Sequence, residues 1–226
     1  MSERLPAPDT SRFPDLASDA SWVRELATGT GFARIFKAGG PHPAAWYDFR
    51  TYGPVDARFD PHPEPPGDYP ECGVMYAALE SRATTSTGGD PLAAFAACLL
   101  EVFQSTRIVR RGDDDSTLVI FENARPLRLL DLSDSDWITV AGGNAAISSG
   151  DHSDARSWAR AIHAHYPELD GIVSASSVVP TARVVALWST AADALPRHPL
   201  ARLRLDRDEL TGIIDRIADR YGYVVL

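Results

Sequence analysis

Residues 92–103, LAAFAACLLEVF, carry one charged side chain in twelve positions, Glu101. Read as a helix, this is the most apolar stretch of the chain. A carboxylate inside it must find partners or give up its charge, because desolvating an unpaired ion costs roughly several kcal/mol. Helical spacing sets Ala97 and Ala94 one and two turns before Glu101 on its own face, with Phe95, Cys98, Leu99 and Val102 on the greasy face beside it. Small residues next to a carboxylate leave room for another molecule. Glu101 is therefore the first candidate site residue.

Around this run the chain alternates short strand-like segments with a few helices. Residues 32–36, 73–78, 118–121, 127–130, 171–173 and 184–188 read as strands, with 118–121 and 127–130 expected to pair across a turn holding Asn123 and Pro126. Trp158, Ile162 and Tyr166 repeat at helical spacing over 153–166. Asp206 and Glu209 suggest a capping box opening an amphipathic helix through Leu210, Ile213, Ile214, Ile217 and Tyr221, stopped by Gly222. Residues 41–72, rich in Pro and Gly around aromatic side chains, read as a long irregular loop. Short strands among few helices indicate an α+β domain. The expected divisions are 1–30, a loose tail followed by a short helix near Trp22 ended by Gly29; 31–192, the main domain; and 193–226, a C-terminal helical extension packed on it.

The 226 residues suffice for one well-buried core without disulfides. A net charge of −9 without a basic run argues against nucleic-acid binding through phosphate neutralisation. Cationic charge is almost entirely arginine, Lys37 being the one lysine. Cys72 and Cys98 show neither a disulfide framework nor zinc spacing, and Cys98 reads as a core residue. His163 and His165, two apart on a helix, point in different directions, so no metal is expected. The acidic run 113–115 reads as a solvated turn, and His42 and His62 as loop residues without suitable companions. No apolar run reaches the roughly 20 residues of a membrane span. With no signal-peptide pattern at the N-terminus, the expected compartment is the cytoplasm.

Four blocks in order carry a resemblance to a known family. These are Arg34-Ile-Phe-Lys37; Ala57-Arg-Phe-Asp-Pro-His62; Val74-Met-Tyr-Ala-Ala78 followed by Leu99-Leu-Glu-Val-Phe103; and Leu169-Asp-Gly-Ile-Val-Ser-Ala-Ser176 followed by a Val-Ala-Leu-Trp strand. Together, over roughly 32–191, they resemble the RES-domain family, named for Arg, Glu and Ser. The resemblance implies an ADP-ribosyltransferase-like fold, with a mixed, mainly antiparallel split sheet and flanking helices. It also implies an NAD-consuming activity, NAD being substrate rather than resident cofactor, and the role of bacterial toxin with a helical antitoxin partner. Carried over, the site is Arg34, Arg58, Tyr76, Glu101 and Ser176. The serine stays open among Ser174, Ser176 and Ser177, and Ala57 stands where many members have glycine.

The chemistry suits these residue types. Cleaving the nicotinamide–ribose bond passes through an oxocarbenium-like sugar, which a carboxylate such as Glu101 stabilises more in the transition state than in the ground state. Tyr76 offers a ring face to nicotinamide. Arg34 and Arg58 offer forked donors to phosphates, Arg58 being the stronger candidate. Ser176 offers a hydroxyl to a phosphate or ribose oxygen. Two other readings stand beside NAD cleavage by water or phosphate: ADP-ribosyl transfer onto a protein, and a noncatalytic module of the same fold. The helix over 210–221 covers the domain's own core or serves a homodimer.

Overall fold

The protein is described by a computed structural model covering residues 4–80 and 92–226. Residues 84–90, a polar Ser/Thr/Gly stretch that reads in the sequence as a loop leading into the Glu101 helix, lie outside the described residues. In chain order the strands are β1 (Val23–Leu26), β2 (Gly31–Lys37), β3 (Tyr52–Gly53), β4 (Gly67–Asp68), β5 (Val74–Leu79), β6 (Ile108–Val109), β7 (Ser116–Glu122), β8 (Leu127–Asp131), β9 (Gly171–Ala175), β10 (Arg183–Trp188), β11 (Ala201–Arg204) and β12 (Val224–Val225). The helices are α1 (Ala93–Phe103), α2 (Trp137–Val140), α3 (Ala146–Ser149), α4 (His152–His165) and α5 (Asp208–Tyr221). Eight strands form one sheet in the order β1-β8-β9-β10-β5-β2-β7-β11. Only β8 and β9 run parallel within it, joined by the long crossover that contains α2, α3 and α4.

The connections force this sheet to curl. Residues 27–30 join β1 to β2 and 123–126 join β7 to β8, yet each pair of strands stands five places apart. In a flat sheet that separation is about 24 Å. A four-residue link spans at most about 17 Å. The sheet therefore bends until the two turns meet, and Gly29 N donates to Asn123 O (2.9 Å) while Thr30 N donates to Asn123 Oδ1 (2.7 Å). Curling turns one face inward. Leu26, Phe32, Met75, Phe121, Leu129, Val173 and Val185, one from each of seven strands, form that inner core. On the outer face α1 and α5 cover Ala33, Ala78 and Leu118, while α2–α4 cover Leu130, Ile172 and Ala186.

The seam between β2 and β5 positions the site. These strands pair only at Phe32↔Leu79 and Ala33↔Ala78 and then diverge. This is the split expected of the mixed, mainly antiparallel sheet, and the α+β class holds with it. α1 lies over the seam, where Cys98 Sγ donates to Ala33 O (2.9 Å). All eight residues from Ala93 to Leu100 are buried. Ala94 and Ala97, expected to leave room beside Glu101, do not line a cavity there but pack with Ala33 and Ala78. At the start of β9, Gly171 has φ +153°, and a Cβ there would stand 2.2 Å from Ala186 O, so only glycine lets β9 and β10 meet.

Several expectations are corrected. Residues 5–18 are not loose: Leu5, Phe13 and Leu16 are buried against Trp137, Trp158 and Tyr166. Val23–Leu26 is a strand rather than a helix, because β8 offers it an open edge. β7 and β8 do not pair with each other; the curl sends them to opposite parts of the sheet. Asp206 does not cap α5, since Arg204 holds its carboxylate (2.7 and 3.1 Å), and the N-cap is Arg207. Gly222, with φ +70°, does stop the helix. The C-terminal region also adds β11 to the sheet edge and pairs β12 with β6. The apolar face of α5 is used inside the chain, Leu210, Ile214 and Ile217 joining the α1 core.

Candidate active site

Glu101 falls in the last turn of α1, where the run of buried residues ends and the side chain is half-buried. A carboxylate is disfavoured there, because the last turn presents unpaired carbonyls and the negative end of the helix dipole. Donors from the segment after β9 offset this. Ser176 Oγ donates to Glu101 Oε1 (2.7 Å), as does Ser177 N (3.1 Å), and Ser177 Oγ lies 3.3 and 3.5 Å from the two carboxylate oxygens. Gln104 Nε2 adds a weak bond at 3.3 Å.

This geometry distinguishes the three serines. Ser176 is buried and fixed, its Oγ also accepting from Val178 N (3.3 Å) and Val179 N (3.1 Å). Ser177 is exposed and supplies its backbone N–H and its hydroxyl. Ser174 is buried and lines the cavity beside them.

That cavity, of about 280 Å³, opens where β2 and β5 part, and its walls include Ile35, Arg58, Tyr76, Cys98, Glu101 and Ser174. Its size, at the small end of ligand sites, suits a nucleoside-sized group rather than a whole dinucleotide. The Tyr76 ring is half-buried while its hydroxyl is sealed away with no hydrogen-bond partner among the described residues. Burial, reinforced by the charge of Asp60, pushes the phenol well above its ordinary pKa, so Tyr76 offers a ring face and not an acid or base. Cys98 is also inert: burial pushes its thiol up to about 12.

Arg58 reaches the cavity from the 54–62 loop. Its Nη1 donates to Gly150 O (2.8 Å), just before α4, and desolvation lowers its pKa while Glu101, then Asp151 and Asp56, oppose that shift. The loop is braced from below by Asp60, which is fully buried and accepts from Arg50 Nη2 (2.9 Å), Val55 N (2.8 Å) and His62 N (3.1 Å), and bonds His62 Nδ1 as well. His62, expected to lack companions, is thus a buried partner of Asp60. One residue, Pro61, separates them, and that short spacing hides their pairing in the sequence.

Arg34 stands apart from the other four. Alternation along β2 places it with Phe32 and Phe36 on the face opposite Ile35. Its guanidinium lies over the Phe36 ring (5.9 Å) and Nη1 donates to Trp46 O (2.5 Å). Burial pulls its pKa down to about 10, which leaves it charged at neutral pH. Arg34 thus braces the Trp46 loop and is not in the wall of the cavity that Glu101, Tyr76 and Arg58 share. Sequence reading also missed Asp56 and His152 at the cavity rim, with Arg156 one helical turn beyond His152; the i,i+4 spacing of His152 and Arg156 is the signal that could have found this pair of nitrogen donors. Of the helix histidines, His163 packs edge-on against Trp188 and His165 against Phe13 and Tyr166, so they do point apart. No helix among the described residues is long and apolar enough to cross a membrane.

No family model matches the chain, and no curated protein does. Among solved structures, the chain is similar to one in the crystal structure of the M. tuberculosis MbcT–MbcA toxin–antitoxin complex. The identity is 16%, the match covers 85% of this chain and 91% of that one, and the TM-score is 0.48.

Proposed function

We propose that this chain cleaves the nicotinamide–ribose bond of NAD. The observation that carries the reading is a carboxylate in an unfavourable helix position, held by Ser176 and Ser177 at a cavity shared with the Tyr76 ring and the Arg58 guanidinium. The nicotinamide stacks on Tyr76 and the ribose lies against Glu101. As the C1′–N bond breaks, its electron pair neutralises the pyridinium ring and positive charge moves onto the ribose. Glu101 stabilises that charge, while the serine donors keep the carboxylate aimed. Water adds to C1′ from the opposite side and releases a proton. Phosphate or a protein side chain in the water's place gives the alternative products.

Purified protein incubated with NAD is expected to release nicotinamide and free ADP-ribose or its phosphate. No release above the Glu101→Gln background, in protein free of any inhibitor, would defeat the reading. NAD labelled in its adenylate half separates the outcomes, since label retained on protein marks transfer. Ser176→Ala is expected to lower kcat about tenfold with KM nearly unchanged, because it removes a donor that aims the carboxylate. It also costs about 1 kcal/mol of stability by unpairing the Val178 and Val179 amides, which a urea titration would measure. The role of toxin, checked by a cytoplasmic helical antitoxin, rests on the RES-domain resemblance. Growth arrest on expression, relieved by a protein encoded beside it, would test that role.

A further inference from the structure

The cavity, of about 280 Å³, suits a nucleoside-sized group, and the rest of a dinucleotide would run along its rim. The rim is built from the 54–62 loop and the start of α4. Asp56 and His152 belong both to the cavity wall and to a shallow depression that continues past Ser153 to Arg156. From inside to outside, the nitrogen donors run Arg58, His152, Arg156. Arg58 is anchored to this row by its bond to Gly150 O (2.8 Å).

At the outer end the row closes on a single oxygen. His152 Nδ1 lies 3.0 Å and Arg156 Nη1 3.2 Å from the same Oδ1 of Asp56. The exposures are unequal: the Arg156 side chain is 18% exposed and His152 33%, whereas Asp56 is 85% exposed. The Arg156 guanidinium and the His152 ring are partly buried in the wall, and the carboxylate between them is in water. An ion pair with one partner so exposed contributes little and is readily exchanged. Asp151 also faces this rim, but its carboxylate is taken by Ser153 N (2.7 Å) and Ser153 Oγ (2.5 Å).

We propose that His152 and Arg156 form the seat for the outer phosphate of the dinucleotide's diphosphate, and that Asp56 occupies this seat until the substrate displaces it. The inference rests on the NAD reading above for the identity of the ligand. Arg58 meets the inner phosphate and the pair meets the outer one. A phosphate brings more charge and more acceptor oxygens than a carboxylate, and a guanidinium can engage two of them at once. Asp56 thus acts as an internal competitor that discriminates against weakly charged ligands.

Calorimetry with ADP as the probe and adenosine as the phosphate-free control tests the seat without requiring turnover. Arg156→Ala is expected to weaken ADP binding about tenfold. Asp56→Asn, at an exposed position that leaves the fold undisturbed, is expected to tighten it about three- to tenfold, and adenosine binding should follow neither change. With NAD as substrate, Arg156→Ala should raise KM while kcat stays within about twofold. ADP binding that is insensitive to Asp56→Asn and Arg156→Ala overturns the proposal, as does failure of both wild type and Asp56→Asn to bind ADP. If ADP follows the seat but no nicotinamide is ever released, the catalytic reading falls and the anion seat stands.

Discussion

Glu101→Gln is expected to reduce kcat for nicotinamide release by about 10²–10³-fold, the loss typical of removing one electrostatic contact made mainly in the transition state. The amide keeps the shape of the side chain and removes its charge. Because the charge matters most when the ribose becomes cationic, KM should change little. Stability should change little. Glu101 is half-buried at the carbonyl end of α1, where a negative charge is disfavoured by about 0.3–1 kcal/mol, and the amide relieves that repulsion while weakening the hydrogen bonds from Ser176 and Ser177. A less active enzyme with a nearly unchanged Tm is the signature of a residue kept for chemistry. Steady-state kinetics and a thermal melt on the same preparation check both halves; unchanged kcat would contradict the role given to Glu101.

The largest stability loss is expected at Trp158. The indole is fully buried, lies stacked 5.6 Å from Phe13 and edge-on to Trp137, and donates from Nε1 to Pro6 O (2.7 Å). Trp158→Ala should cost about 3–5 kcal/mol, and Phe13→Ala a similar amount, because the aromatic cluster cannot collapse into the space left. For a chain of this length that is a fall in Tm of roughly 10 °C. Urea midpoints would measure both. A negligible cost at Phe13 would mean that the N-terminal segment is not part of the core.

The N-terminal segment shows where sequence reading runs short. Proline, serine and aspartate dominate residues 6–19, and local composition gives no sign of the Trp137–Trp158–Tyr166 groove that Phe13 enters. Alternation and helical periodicity located β2, β5, β7, β9 and β10, α4 and the apolar helix, because each buries one face in a regular pattern. They could not tell which strands pair. The five-place separation of β7 from β8 is a property of the curled sheet, set by contacts far apart in the chain. At the site, Glu101, Tyr76, Arg58 and Ser176 come together, as the blocks of the resemblance imply. Arg34 does not join them, since a one-residue difference along β2 decides the face and Arg34 falls with Phe36. Asp60 with His62 stayed hidden because the two pair within one irregular loop, and the His152–Arg156 pair because its partner, Asp56, lies on another element.

A crystal structure of the protein soaked with ADP-ribose tests the central claim most directly. The nicotinamide-side ribose should lie within hydrogen-bond distance of the Glu101 carboxylate, below the Tyr76 ring, with a phosphate on Arg58. Density for the ligand elsewhere on the molecule, with the Glu101 cavity empty, would contradict the account.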